Sequence, residues 1–218
     1  MEMNNDMACL FDLDGVLIDS ERKYTEIWAA IERHWPTGIE NFAYKIKGTT
    51  LEDILDRYFP DPEVREKVVA ELMRLEGMMV YEPLPGAIGF LEYLRKRHIP
   101  VAMVTSSNDK KMDHLWKDMP GFEKYFDTII TGDEVRHSKP DPEGYLCASD
   151  RLGANPKKCA VFEDSLQGVK AGRAAGAYVV GVAGTLKAED IAPYCDIVVY
   201  SLSEIDPDKL IEILKNRA

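Results

Sequence analysis

Short apolar runs alternate with stretches of helical periodicity along most of this chain. Met7-Ala8-Cys9-Leu10-Phe11 is such a run, and it stops at Asp12-Leu13-Asp14-Gly15. A run of that length bounded by an Asp/Gly turn predicts a fully buried strand. The same alternation returns after Pro83-Leu84-Pro85-Gly86. Helices are expected near 87–97, 109–117, 143–152 and 165–175. Strands are expected at 101–105, 128–131, 159–162, 178–182 and 197–200, with a last helix closing the chain. Strands alternating with helices imply βαβ units and a mostly parallel sheet, Rossmann-like, with helices on both faces.

The segment between these parts breaks the pattern. Ile27, Trp28 and Ile31 recur at helical spacing after Ser20, and Pro36-Thr37-Gly38 ends that stretch. Leu51, Ile54, Leu55, Tyr58 and Phe59 form a second periodic set, stopped by Pro60-Asp61-Pro62, and residues 64–79 form a third. Three successive helices without a strand predict an inserted all-helical domain. The expected division is an α/β core of residues 1–19 and 84–218 and a helical cap of residues 20–83, with 82–86 as the return hinge.

Composition narrows the class. The chain has 218 residues and a formal net charge of −11, which argues against a nucleic-acid partner because backbone affinity needs clustered Lys and Arg. A small phosphorylated substrate needs only a local positive site and stays open. No apolar run reaches the roughly 18 residues of a membrane span, and the acidic polar start resembles no signal or transit peptide. Cys9, Cys147, Cys159 and Cys195 form no CxxC pair, so reduced thiols and a cytoplasmic location are expected. A monomer is the default expectation.

In open parallel sheets, ligands bind at the carboxyl ends of strands. The first expected strand ends in Asp12 and Asp14, and the fourth ends in Glu163-Asp164-Ser165. If both strands are central, carboxylates converge there and must protonate, separate or share a cation. All-oxygen ligands favour a hard ion, and Mg²⁺ suits a site that also holds phosphate. A carboxylate beside such an ion can be a nucleophile, and the Asp two positions later a proton donor. The plainer alternative is a turn at Asp12–Gly15 and an N-cap at Asp164 or Ser165. Thr105-Ser106-Ser107-Asn108 also follows a strand and offers hydroxyls and amides to an anion, although Ser107, Asn108 or Asp109 would equally serve as a helix cap. Lys139 lies in the Pro-flanked loop Ser138-Lys139-Pro140-Asp141-Pro142, which would hold its ammonium in place.

Taken together, Phe11-Asp12-Leu13-Asp14-Gly15, Thr105-Ser106, Lys139-Pro140 and Glu163-Asp164 resemble the four ordered motifs of the haloacid dehalogenase-like hydrolases. Leu17-Ile18-Asp19-Ser20-Glu21 and Phe162-Glu163-Asp164-Ser165-Leu166-Gln167-Gly168 are similar to the β-phosphoglucomutase-like phosphatases within them. The resemblance covers essentially the whole chain. It implies Asp12 as the nucleophile that becomes an aspartyl phosphate, with Asp14 as acid and then base. It implies Mg²⁺ held by Asp12, the Asp14 main-chain carbonyl and Asp164, with Glu163 in the same metal group. Thr105, the Ser106 amide and Lys139 would hold the phosphoryl oxygens, with Asn108 beside them. Lys47, Gly48 and Thr49 would form a substrate-contacting cap loop, for which a capping box of Thr49 with Glu52 is the plain alternative. Asp14 argues against a true dehalogenase, which lacks that acid.

Departures from the sugar phosphomutase pattern matter too. Tyr24 stands where the mutase has a hinge His, Leu51 where it has a phosphate-binding Arg, and Leu75 near a Lys. A second phosphate needs positive partners that leucine cannot supply; Lys45 and Lys47 remain as cations. The expected function is Mg²⁺-dependent hydrolysis of a small phosphorylated metabolite, a sugar or polyol phosphate. A sugar phosphomutase, an inorganic pyrophosphatase and a non-catalytic metabolite-binding module are the alternatives.

Overall fold

A computed structural model of the chain describes residues 6–46 and 51–217. The chain forms two compact units, one of residues 1–19 and 81–218 and one of residues 20–80. In order, the elements begin with β1 (Ala8–Phe11), α1 (Ser20–His34), α2 (Phe42–Lys45), α3 (Leu51–Tyr58) and α4 (Pro62–Glu76). Then follow α5 (Ala87–Lys96), β2 (Val101–Val104), α6 (Asp109–Asp118), β3 (Thr128–Ile130), α7 (Glu143–Arg151) and β4 (Cys159–Glu163). The chain closes with α8 (Leu166–Ala174), β5 (Tyr178–Val182), α9 (Ala188–Ile191), β6 (Ile197–Val199) and α10 (Pro207–Lys215). No helix among the described residues is long and apolar enough to cross a membrane.

The first unit is a six-stranded sheet in the order β3-β2-β1-β4-β5-β6, every neighbouring pair parallel. β1 is central because its four residues are apolar and fully buried on both sides. Successive side chains of a strand point to opposite faces. Leu10 therefore joins a core with Tyr145 and Ala148 of α7, while Phe11 stacks on Phe162 at 4.1 Å and meets Phe90 of α5 edge-on at 6.1 Å. One strand thus carries a helix layer on each face of the sheet.

The register fixes where chemistry can gather. Phe11 pairs with Phe162, so the residues after them, Asp12 and Glu163, leave adjacent strands side by side. The chain moves from β1 outward to β2 and β3, then returns to the other side of β1 as β4. That reversal is the switch point where open α/β sheets form a crevice. After Asp14 the backbone turns at Gly15, whose φ of +73° suits glycine. The outgoing and returning segments then pair: Asp19 N–H donates to Glu82 O at 2.9 Å, and Leu84 N–H to Leu17 O at 2.9 Å.

The second unit is all helical. Trp28 and Ile31 of α1, Phe42 of α2, Ile54 and Leu55 of α3, and Val68 and Leu72 of α4 are its buried centre. Phe42 meets Trp28 at 6.0 Å and Tyr58 at 5.1 Å, both edge-on. Asp61 caps α4 by accepting from Glu63 N and Val64 N, and Pro62 occupies the first turn, where its missing N–H costs nothing. A cavity of about 290 Å³ opens in this unit, lined among others by Glu21, Tyr24, Trp28, Ile46, Leu51 and Glu76. The short helix α2 is absent from the periodicity reading, since four residues carry no repeat.

Candidate active site

The carboxyl ends of β1, β2 and β4 and the loop before α7 supply the groups that meet. Asp12, Thr105, Glu163 and Asp164 are all buried. Lys139 Nζ donates to Asp12 Oδ1 at 2.6 Å, to Glu163 Oε1 at 2.6 Å and to Val104 O at 3.0 Å. One ammonium therefore ties three neighbouring strand ends together. Burial above all, with the Glu163 and Asp14 charges, raises the Asp12 carboxyl to about 7 against the downward pull of Lys139. Burial works against the Lys139 charge, but Asp12 and Glu163 outweigh it and hold its pKa well above the usual lysine range.

Glu163 is fully occupied. Oε1 accepts from Lys139 at 2.6 Å and from the Tyr145 hydroxyl at 2.9 Å. Oε2 accepts from Asp164 N at 3.1 Å, Ser165 N at 3.1 Å and Ser165 Oγ at 2.9 Å. The Lys139 ammonium also lies 5.2 Å from the centre of the Tyr145 ring, within cation–π range. Gly168 makes room for this carboxylate, since a Cβ there would fall 1.7 Å from Oε1. Gly15 does the same for Asp164, whose Oδ2 would lie 1.9 Å from a Cβ at that position. The Thr185 hydroxyl, just beyond β5, donates to Asp164 Oδ2.

Asp14 points to a different set of partners. Lys111 Nζ lies 2.7 Å from each of its carboxylate oxygens, and Ser107 Oγ donates to Oδ2 at 3.0 Å. Thr105 Oγ1 accepts from Ser107 N at 3.0 Å, which leaves its own O–H free to donate. Asn108 Oδ1 accepts from Lys111 N at 3.0 Å and so caps α6; Ser165 caps α8 through Gly168 N. The open choices of cap at these two helices are thereby resolved.

Asp12, Glu163 and Asp164 each offer an oxygen within 4.8 Å of the others, a spacing that fits one cation. Ser106 is exposed beside Thr105. Lys47, Gly48 and Thr49 lie outside the described residues. Sequence reasoning missed three residues, and it gave Ser107 as part of an anion loop or a cap rather than as a partner of Asp14. Thr185 follows a strand end and the same rule would have found it. Lys111 sits in the first turn of a helix, where the dipole disfavours a cation, a local inconsistency that flags function. Tyr145 gave no signal, being one more aromatic on a buried helix face.

A family model described as haloacid dehalogenase-like hydrolase matches residues 7–176. Hexitol phosphatase A of Escherichia coli is 33% identical over 210 residues, covering 92% of this chain and 93% of that protein. A phosphorylated carbohydrates phosphatase of Thermotoga maritima is 33% identical over 176 residues, covering 78% and 81%. Among solved structures, a HAD hydrolase of family IA, variant 3, from Entamoeba histolytica superposes with a TM-score of 0.80 at 28% identity, covering 96% of this chain and 100% of that one.

Proposed function

This chain belongs to the haloacid dehalogenase-like hydrolases and is a phosphoric monoester hydrolase, and we propose that it is a Mg²⁺-dependent phosphatase of sugar or polyol phosphates working through an aspartyl phosphate. The observation that carries this reading is the Lys139 ammonium shared by Asp12 and Glu163 at adjacent strand ends. A nucleophilic carboxylate is held there beside the cation that would receive the phosphoryl oxygens.

Asp12 attacks phosphorus, the bond to the leaving oxygen breaks, and Asp14 gives that oxygen its proton. Asp14, now a base, takes a proton from water; the water oxygen bonds phosphorus and releases Asp12 with inorganic phosphate. Lys139, the Thr105 hydroxyl and the Ser106 N–H hold the equatorial oxygens, where charge gathers during transfer. Asp12, Asp164 and the Asp14 carbonyl would hold Mg²⁺, which when bound neutralises charge on the phosphoryl group. Glu163 spends both oxygens on five protein donors. Its part in the metal group is therefore to hold Lys139 and the Asp164 backbone in place.

Residues 20–80 act as a cap over the reaction in this reading. No Lys or Arg is among the described residues lining their cavity, while Glu21 and Glu76 are. Among the described lining residues a second phosphate would meet carboxylates and no cation, which favours hydrolysis over a mutase reaction on a bisphosphate. The expected ligand end is uncharged and hydroxylated. The reading implies an enzyme in the cytoplasm acting as a monomer.

Asp12→Asn is expected to abolish phosphate release from a phosphometabolite panel and from p-nitrophenyl phosphate while the circular dichroism spectrum stays native. Turnover near the wild-type rate would refute the nucleophile. Chelation is expected to stop turnover and added Mg²⁺ to restore it; full activity in chelator would remove the cation from the proposal.

A further inference from the structure

We propose that Lys111 is a positioning residue for Asp14, fixing the carboxyl that hands a proton to the leaving group. The inference rests on the acid role of Asp14 proposed above. Lys111 Nζ is equidistant, at 2.7 Å, from both Asp14 oxygens. The Ser107 hydroxyl adds a third bond at 3.0 Å, to Oδ2. The terminal torsion of an aspartate is soft and roughly two-fold. An ammonium bridging both oxygens, with a hydroxyl on one of them, removes that freedom.

The position of Lys111 argues that this contact is built rather than incidental. Its side chain is 19% exposed, unusual for a lysine whose charge would otherwise be solvated. It stands in the first turn of α6, where a cation opposes the helix dipole. Asp14 offsets that cost. The Lys111 amide is also tied to Asn108 Oδ1 at 3.0 Å. The residue that grips Asp14 is thus anchored to the loop that carries Thr105 and Ser106. Asp14 and the phosphoryl cradle are held to one frame.

In the first half-reaction the Asp12–phosphorus bond forms, the phosphorus–leaving-oxygen bond breaks, and the Asp14 proton moves to the departing oxygen. A protonated Asp14 still accepts from Lys111 through one oxygen while the other carries the proton. Loss of Lys111 frees the carboxyl to rotate, and proton transfer is sensitive to such misplacement. The need for that proton depends on the leaving group. p-Nitrophenolate departs without it, and phenolate depends on it far more.

The test compares kcat/KM for p-nitrophenyl phosphate and phenyl phosphate, since kcat/KM reports the first half-reaction alone. Lys111→Met is expected to lower the phenyl value by on the order of tenfold more than the nitrophenyl value, a share of what a general acid supplies. Lys111→Arg, whose guanidinium also bridges two carboxylate oxygens, is expected to restore the ratio. Lys111→Gln serves in place of Met if that variant melts early. An equal fall for both substrates, or no change in their ratio, overturns the proposal, because a structural or phosphate-binding role predicts that. Asp14→Asn separates the two levels. If Asp14→Asn leaves the ratio unchanged, the acid assignment itself fails; if it splits the substrates and Lys111→Met does not, only the role of Lys111 fails.

Discussion

Replacing Gly168 with alanine sets two physical effects against each other. Gly168 lies in the first turn of α8, and alanine is the better helix former by about 1 kcal/mol. Propensity alone therefore predicts a more stable protein. Sterics predicts the reverse. An added Cβ falls 1.7 Å from Glu163 Oε1, 1.8 Å from its Cδ and 2.1 Å from Oε2, far inside van der Waals contact. The carboxylate has nowhere to retreat, because Lys139, Tyr145, the Asp164 amide and two donors of Ser165 hold it. A hydrogen bond to a charged group is worth about 1.5–3 kcal/mol, and breaking a buried ion pair costs about 3–5. Even after the helix gain, a net loss of at least about 3 kcal/mol is expected. For a chain of this size each kcal/mol moves Tm by about 2–4 °C, so Tm should fall by about 10 °C. Turnover should fall with it, because Glu163 positions Lys139. Gly89→Ala in α5 is the control: its Cβ meets nothing within 4 Å, so propensity acts unopposed. Thermal melts of both variants beside phosphate-release assays decide the matter. Gly168→Ala melting at or above wild type with full activity would refute the packing argument.

Two further outcomes test the electrostatics of the same cluster. Asp12 has a folded pKa of about 7 without metal, against about 3.9 for an unfolded aspartate. The native state then binds the extra proton between those values, so metal-free stability from this group falls as pH rises from about 4 to about 7. In chelator, wild type should therefore lose Tm relative to Asp12→Asn between pH 5 and pH 8; a constant difference would reject the raised value. Glu163→Gln places an amide donor among groups that already donate, and activity should fall by about 10–100-fold, as for other groups that support metal ligands. The Mg²⁺ concentration giving half-maximal rate should barely move, and a large increase would instead make Glu163 a direct ligand.

Much of the architecture is legible in the sequence because buried strands of a parallel sheet are short apolar runs with turn residues at their ends. Val101, Cys159 and Tyr178 each begin a strand for that reason. Strand order is another matter. Nothing in the runs 7–11 and 159–162 says that they are neighbours; the pairing of Phe11 with Phe162 follows from the crossover between β3 and β4. The carboxylates were legible as types at strand ends, and their partners were not. Tyr145 and Lys111 reach the site from helices, where a side chain's target depends on how the helix packs rather than on its spacing. Of the cavity in residues 20–80 the sequence singled out Tyr24 and Leu51; its acidic lining by Glu21 and Glu76 brings together residues of two helices 55 positions apart in the chain.

The charge pattern of the site bears on why the proposed function calls for a cation. Among the described residues, Asp12, Asp14, Glu163 and Asp164 lie with two ammonium groups, Lys111 and Lys139. If all are ionised, the centre is two charges negative, and a phosphate dianion is repelled from it. Asp12 shows the strain of this balance, since burial among like charges raises it to about 7. A protonated Asp12 is no nucleophile, so this upward push works against catalysis in the absence of a cation. Positive charge beside Asp12 and Asp164 cures both faults at once: it displaces the proton and cancels the repulsion. Another lysine would do so poorly, because an ammonium already occupies Asp12 Oδ1 and each new one brings a long, mobile stem. Asp12 and Asp164 could hold a small divalent ion, which would supply the same charge without that cost. In the proposed function the acid-rich strand ends and the call for a cation are one property of the fold, and the expected role of that cation is to take the place of the proton on Asp12.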